Sequence, residues 1–219
     1  MTGPSAAAAA SLEKVQRAGC NGLACHAQMY IMGVLLRHGR EAQKCEYLPG
    51  IASGELRLQA FGVTEPTSGT DTGSLKTTAV RGDDQYIVNG QKAWTSRAKH
   101  SDQMLLLART TPREETARGI DGLSVFILDM TAAKAAGGLT LLPIRTMMNY
   151  STTEVFIDNT EVAAANLVGM VGKGFRYVLS GMNAERILNA AECIGDAKWF
   201  IERSCAYAKE RQLFGRPIG

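Results

Sequence analysis

No two cysteines in this chain are spaced Cys-x-x-Cys. The five present, Cys20, Cys25, Cys45, Cys193 and Cys205, are an odd number scattered along the whole length. That argues against a disulfide framework or a zinc site and predicts buried, reduced thiols. Long apolar runs are missing too. The best, around Tyr30 to Leu36, falls far short of the ~20 residues that cross a bilayer, so no membrane span is expected. Neither sign of charge dominates: 24 basic and 21 acidic residues leave a net +3, too weak a balance to point to nucleic acid or a membrane surface. The segment Met1 to Ala10 lacks the basic and leucine-rich regions of a secretion signal, which places the expected location in a bacterial cytoplasm or a mitochondrial matrix. The Gly-x-Gly-x-x-Gly turn of a Rossmann unit is absent as well, so a dinucleotide would have to be held in another way.

What is present is ordinary globular sequence, 45% hydrophobic and 21% charged over 219 residues, enough for one or two domains. Its periodicity changes twice. Residues 12–49 read as helical, with Ala24, Met29, Met32 and Leu36 near helical spacing. Gly39 ends one helix, and Pro49 with Gly50 is expected to stop the next. From Leu58 onward, short runs rich in Val, Ile, Thr and Tyr alternate with Gly, Asp and Asn: 75–80, 85–88, 104–108, 123–128, 139–142 and 154–157. Arg81-Gly82-Asp83-Asp84 and Asn89-Gly90 read as tight hairpins, and Pro112 to Gly119 as a surface loop. Strands this close in sequence predict an antiparallel barrel or sandwich. After Gly174 the helical period returns without a proline through Arg211. Ile187, Ala191, Ile194, Lys198, Ile201 and Cys205 trace one mostly apolar stripe there. The expected fold is therefore α+β and multidomain: N-terminal helices (1–57), a middle antiparallel β domain (58–170) and the start of a C-terminal helical bundle (171–219).

Four segments carry candidate chemistry. The loop from Phe61 through Val63, Thr64, Gly69 and Thr70 to Gly73 offers backbone N–H groups and small hydroxyls of the kind that converge on phosphate oxygens. Trp94-Thr95-Ser96 at a strand end offers an aromatic plane, and strand alternation puts Ser96 on the same side as Trp94. Glu185 precedes Arg186 within the long helix, where apolar surroundings raise a carboxyl pKa toward that of a general base. Glu192, further along roughly the same face, is a rival. Arg211, Leu213 and Phe214 close the helix with a cation and an aromatic ring suited to an anion and a flat ring system. Taken singly, each segment also reads as an ordinary turn, a core tryptophan, a solvated helix face or a helix C-terminus favoured by the dipole. His26, His38 and His100 show no triad or metal spacing and read as structural or exposed.

Taken together, in this order, the segments resemble the acyl-CoA dehydrogenase family. The resemblance runs from about Gly19 to Gly219 and is strongest over 63–71, 86–96, 152–157 and 207–217. It implies FAD held between the β domain and the C-terminal helices. In that arrangement Phe61, Val63, Thr64, Gly69 and Thr70 contact the flavin and pyrophosphate side, Trp94 and Thr95 flank the ring, and Ser96 bonds near N5. Thr70, Asn183 and Arg186 match positions that hold acyl-CoA. Arg211, Leu213 and Phe214 match positions that reach the FAD of a neighbouring subunit, which implies a homo-oligomer. The implied reaction removes the α-proton of an acyl-CoA to a carboxylate and a β-hydride to the flavin, giving a 2,3-enoyl-CoA, with electrons passed to an electron-transferring flavoprotein. The Gly181-to-Arg186 stretch matches members whose base lies on the long helix, which would be Glu185. In most members the base lies in a later segment that this sequence does not contain. Val162-Ala163 and Thr67-Ser68 depart mildly from the family pattern, and the first N-terminal helices and most of the C-terminal bundle have no counterpart here. Same-fold oxidases (acyl-CoA or nitroalkane oxidase-like) and an inactive, flavin-free fragment are the alternatives.

Overall fold

The computed structural model describes residues 4–147 and 151–219. The chain falls into two compact units, one of residues 30–182 and one of residues 1–29 with 183–219; Met1 to Gly3 of the expected N-terminal domain lie outside the described residues.

The larger unit is organised by one sheet. Its strands are β1 (Leu58–Gly62), β2 (Thr78–Arg81), β3 (Gln85–Thr95), β4 (Gln103–Arg109), β5 (Leu123–Asp129), β6 (Leu139–Pro143), β7 (Thr153–Ala163) and β8 (Leu167–Val168). They run in the order β6-β7-β3-β2-β4-β5-β8, with β1 added alongside β4. Pairing is antiparallel except where β4 meets β1 and β2, which run parallel to it. The sequence of β4 and β5 is nearly unbroken in apolar residues because both faces are covered. Met104, Leu106, Ala108, Phe126 and Leu128 point into one core with Val88, Val155 and Ile157. Leu105, Leu107, Leu123, Val125 and Ile127 point into a second. That second core is completed by Ile31, Val34 and Leu35 of helix α2 (Leu23–His38), Tyr47 and Ile51 of α3 (Glu41–Ser53), and Val178 of the long helix. The short α4 (Met130–Ala135) begins on the Asp129 carboxylate, which accepts the N–H groups of Thr131 and Ala132.

The smaller unit contains α1 (Pro4–Arg17), the first residues of α2, and the long helix α5 (Gly174–Glu210) from Asn183 onward. Alanine, the strongest helix former, supports α1 from its start. Leu12 is fully buried, and ion pairs join Glu13 to Lys198 and Arg17 to Glu202. The face of α5 that packs here carries Leu188 and Ala191; Ile187, Ile194, Phe200 and Ile201 are exposed. The chain then folds back in a small hairpin, β9 (Gln212–Leu213) with β10 (Arg216–Pro217). Among the described residues no helix is long and apolar enough to cross a membrane.

The order of helices, mostly antiparallel sheet and long helix is the expected one. Several local expectations need correction. The N-terminal helical stretch begins at Pro4 and breaks at Ala18–Gly22 as well as at Gly39. Pro49 does not stop α3. A proline inside a helix costs ~3 kcal/mol, but Tyr47 and Ile51 on either side are anchored in the apolar core, and the helix ends at Gly54, whose left-handed φ of 82° lets its N–H reach the Ile51 carbonyl. Residues 72–74 form a turn of 3-10 helix, so β2 starts only at Thr78. The 81–84 segment is the expected hairpin, with Gly82 N–H on the Gln85 carbonyl. Asn89-Gly90 is not a turn: β3 runs straight through it, opposite a bulge in β7. The glycine is needed for close approach, since a Cβ there would sit 2.4 Å from the Thr77 hydroxyl. All five cysteines are free and exposed rather than buried.

Candidate functional site

Two groups of the expected site residues come together, one in each unit. In the sheet unit, β1 ends at Gly62 and the chain enters a loop that returns at β2. Phe61 is half-buried, edge-on to Tyr30 with ring centres 5.5 Å apart. The Thr64 carbonyl accepts the Ala93 N–H at 2.9 Å, which joins the loop to the end of β3 just before Trp94. Glu65 and Ser68 exchange two backbone bonds of 3.1 Å, closing a turn around Pro66-Thr67. The Ser68 hydroxyl then donates to the Asp71 carbonyl at 2.6 Å. This leaves Gly69 and Thr70 at an exposed loop edge, and among the described residues their N–H groups donate to no protein acceptor.

Trp94, next to the Ala93 that the loop binds, is in an uncommon conformation. Its φ is 58°, left-handed for a large side chain, and the residue is 62% exposed while Ala93 and Thr95 on either side are buried. Such backbone strain is of order 1–3 kcal/mol and concentrates at functional positions. The cause is a bulge in β3, where Lys92 faces Val155 but Thr95 faces Thr153. Ser96 therefore does not share the side of Trp94 by strand alternation: the bulge and the left-handed Trp94 break the period of two, and β3 ends at Thr95. Ser96 is half-exposed in the following turn. The Thr95 carbonyl accepts the Thr153 hydroxyl at 3.2 Å, while its own buried hydroxyl has no partner among the described residues.

Three charged residues that sequence reading missed hold this platform. Glu65 is buried, and its carboxylate accepts the N–H groups of Lys76 at 2.6 Å and Thr77 at 2.9 Å and the Lys92 ammonium at 2.8 Å. Lys92 also donates to the Val63 carbonyl at 3.3 Å. Burial works against the Glu65 carboxylate, yet the Lys92 charge and the backbone amides outweigh it and hold its pKa below the ordinary value. Burial pushes Lys92 down to about 8 in spite of Glu65. At the far end of the loop, buried Arg109 donates to the carbonyls of Gly73 at 2.7 Å and Leu75 at 3.2 Å. One signal for Lys92 was available: it falls in step with inward-facing Tyr86 and Val88, so a lysine there has to be buried.

In the helical unit, Asn183, Glu185 and Arg186 lie on α5. The Asn183 amide oxygen accepts the Arg186 guanidinium at 2.8 Å, and both residues are exposed. Glu185 is half-buried. Burial raises its pKa above the ordinary value, and the charges of His26 and Arg186 pull the other way. Glu192 is differently placed, with its carboxylate 2.9 Å from Nδ1 of buried His26. Arg211, Leu213 and Phe214 sit on the terminal hairpin, all exposed, with Phe214 in the turn at φ 52°. About 37 Å of helix, at ~1.5 Å per residue, separates Glu185 from the end of α5 at Glu210. The chain therefore does not bring Glu185 and Phe214 to one point.

His38 bonds the Ser180 hydroxyl at 2.8 Å, and His100 is exposed. Among the described residues no group of three His, Cys, Asp or Glu is placed to hold a metal ion. A cavity of about 610 Å³ lies elsewhere in the sheet unit, lined by residues such as Asp129, Gly138, Asp158 and Glu161, and no expected site residue borders it.

Comparison with known proteins gives three adjoining family matches: the acyl-CoA dehydrogenase N-terminal domain over residues 2–55, the middle domain over 60–160 and the C-terminal domain over 172–219. An acyl-CoA dehydrogenase of Bacillus subtilis (strain 168) is 38% identical over 84% of this chain and 47% of its own length. The mitochondrial isovaleryl-CoA dehydrogenase of Oryza sativa subsp. japonica is 34% identical over 95% of this chain and 50% of its own. Among solved structures, a probable acyl CoA dehydrogenase from Mycobacterium abscessus superposes with a TM-score of 0.87 at 27% identity, over 99% of this chain and 56% of that one. The chain thus spans about half the length of the curated relatives it matches.

Proposed function

Because the chain belongs to the acyl-CoA dehydrogenase family, we propose that it takes part in FAD-dependent α,β-dehydrogenation of an acyl-CoA thioester to a 2,3-enoyl-CoA, with electrons passed on to an electron-transferring flavoprotein. The observation that carries this reading is the Thr64–Ala93 hydrogen bond, which ties the loop that bears the Gly69 and Thr70 amides to the strand end that bears exposed Trp94.

The donor set fits a flavin dinucleotide. Uncommitted N–H groups at Gly69 and Thr70 suit phosphate or ring oxygens, and space around Gly69 is open, with nothing within 4 Å of where a Cβ would stand. Trp94 offers a flat face, Ser96 a hydroxyl in the adjoining turn, and Thr95 a buried hydroxyl with no partner among the described residues. Phe61, Val63 and Thr64 would form the floor of the same platform. When bound, FAD supplies the acceptor for the substrate's β-hydride. The protein's part is to orient the thioester, exclude water and take the α-proton. Glu185 is the residue proposed for that proton: it is the half-buried carboxylate of α5 with a raised pKa, whereas Glu192 is engaged by His26. Thr70, Asn183 and Arg186 are proposed to hold acyl-CoA, the last two already joined by a hydrogen bond. The length of α5 between Glu185 and the hairpin supports a homo-oligomer in which Arg211, Leu213 and Phe214 serve a neighbouring subunit's FAD. The domain limits 1–57, 58–170 and 171–219 and a bacterial cytoplasmic or mitochondrial matrix location belong to the same proposal.

The test is anaerobic titration of the purified, FAD-loaded protein with a panel of acyl-CoAs. Bleaching of the flavin, reversed by an electron-transferring flavoprotein, is the expected result. Rapid peroxide formation with oxygen alone would reassign the protein to the same-fold oxidases. Protein that stays colourless after FAD addition would overturn the reading.

A further inference from the structure

Glu65 and Lys92 form a fully enclosed ion pair, with side chains 4% and 0% exposed and charged atoms 2.8 Å apart. Enclosing two charges costs several kcal/mol per ion, and an apolar pair of similar volume is often at least as stable, so such a pair is weak evidence for stability. Its placement points to another role. The carboxylate gathers three separate stretches of chain: Lys92 at the end of β3, the amides of Lys76 and Thr77 where the loop leaves, and through Lys92 the Val63 carbonyl where it enters. The backbone of Glu65 is bonded twice to Ser68, next to Gly69 and Thr70. Lys92 is two residues from Trp94. One ion pair thus ties the strand that carries Trp94 to both ends of the loop that carries Gly69 and Thr70.

We propose that Glu65 and Lys92 are a positioning pair for the cofactor platform, fixing the Gly69–Thr70 edge against Trp94 at the separation that a flavin dinucleotide needs. This rests on the reading that the flavin lies against this loop. The pair touches no ligand itself and acts through the backbone it ties. A purely electrostatic role is restored by exchanging the two residues. A positioning role is not, because a lysine at position 65 cannot accept the Lys76 and Thr77 amides.

The experiment compares wild type with Lys92→Met, Glu65→Gln and the exchange Glu65→Lys/Lys92→Glu. The readouts are FAD affinity, the band shape of bound flavin, and hydrogen exchange of residues 63–77 without FAD. Lys92→Met is expected to weaken FAD by roughly tenfold or more, within the ~10²-fold that a 1 Å misplacement of positioned groups can cost. It should also alter the flavin band and speed exchange in 63–77, while β4 and β5 keep their protection. Glu65→Gln, which keeps one acceptor oxygen, should give a smaller loss in the same direction, and it decides the matter if Lys92→Met fails to fold. Wild-type affinity and exchange in the variants that fold, or full recovery in the exchange variant, would overturn the proposal. If wild type binds no FAD, the flavin reading falls and with it the cofactor half of this one; the exchange measurement still decides whether the pair holds the loop.

Discussion

The loop platform of the sheet unit and the long helix of the other unit are held by opposite means. The platform is fastened from inside: Glu65, Lys92 and Arg109 are buried, and each is matched by backbone groups of the segment that it fixes. In the helical unit the ion pairs between α1 and α5 lie at the surface, Arg17 with Glu202 and Glu13 with Lys198, while His26 with Glu192 is largely buried. Its candidate ligand-binding side chains, Asn183, Arg186, Arg211 and Phe214, point into solvent. The contrast teaches where shape comes from in each. The platform carries its geometry in its own hydrogen bonds, whereas the helix places its exposed side chains chiefly by length and period.

The comparison breaks most sharply at Glu185. Glu185→Gln should slow flavin reduction by acyl-CoA about a thousandfold in stopped-flow traces, within the range of a lost general base, with substrate affinity little changed. Glu192→Gln should leave that rate near wild type, because His26 already occupies the carboxylate; the opposite ranking would reassign the base. Next in size, Lys92→Met should lower the unfolding free energy by about 3–5 kcal/mol in urea, the usual result of stranding one partner of a buried pair.

A smaller effect lies in the pH dependence. Lys92 titrates at about 8 in the folded chain against an ordinary 10.5. Between those values the unfolded chain binds more protons, so wild type should gain stability relative to Lys92→Met as pH rises across the window. A flat difference between the two proteins there would contradict the depressed pKa. Smallest of all, Arg17→Ala should cost well under ~1 kcal/mol, because both members of its pair are about half exposed and screened by solvent. A loss as large as that of Lys92→Met would erase the distinction between the units.

What the sequence made legible were the features set by neighbours in the chain. The change of period at Leu58 and Gly174 and the 81–84 hairpin follow from local composition. What it concealed were features set at a distance. Pro49 stays helical because Tyr47 and Ile51 are anchored in a core built largely by β4 and β5. Asn89-Gly90 has the composition of a turn, yet pairing with β7, which bulges opposite it, and the closeness of Thr77 keep it in the strand. The bulge before Thr95 defeats an argument from alternation that any regular strand would have satisfied. Glu65 finds Lys92 only after the loop has closed on β3, so neither residue announces the other along the chain.

The two tryptophans are divided between the units. Trp94 stands open to solvent on its twisted backbone, and Trp199 lies half-covered beneath the cation of Arg203. Each unit therefore carries its own fluorophore. With Trp199→Phe, emission reports the platform alone, and quenching by a docked flavin can be followed without label or catalysis. With Trp94→Phe, the remaining signal follows the helices as they melt, so that two events which absorbance merges become separable in a single cuvette.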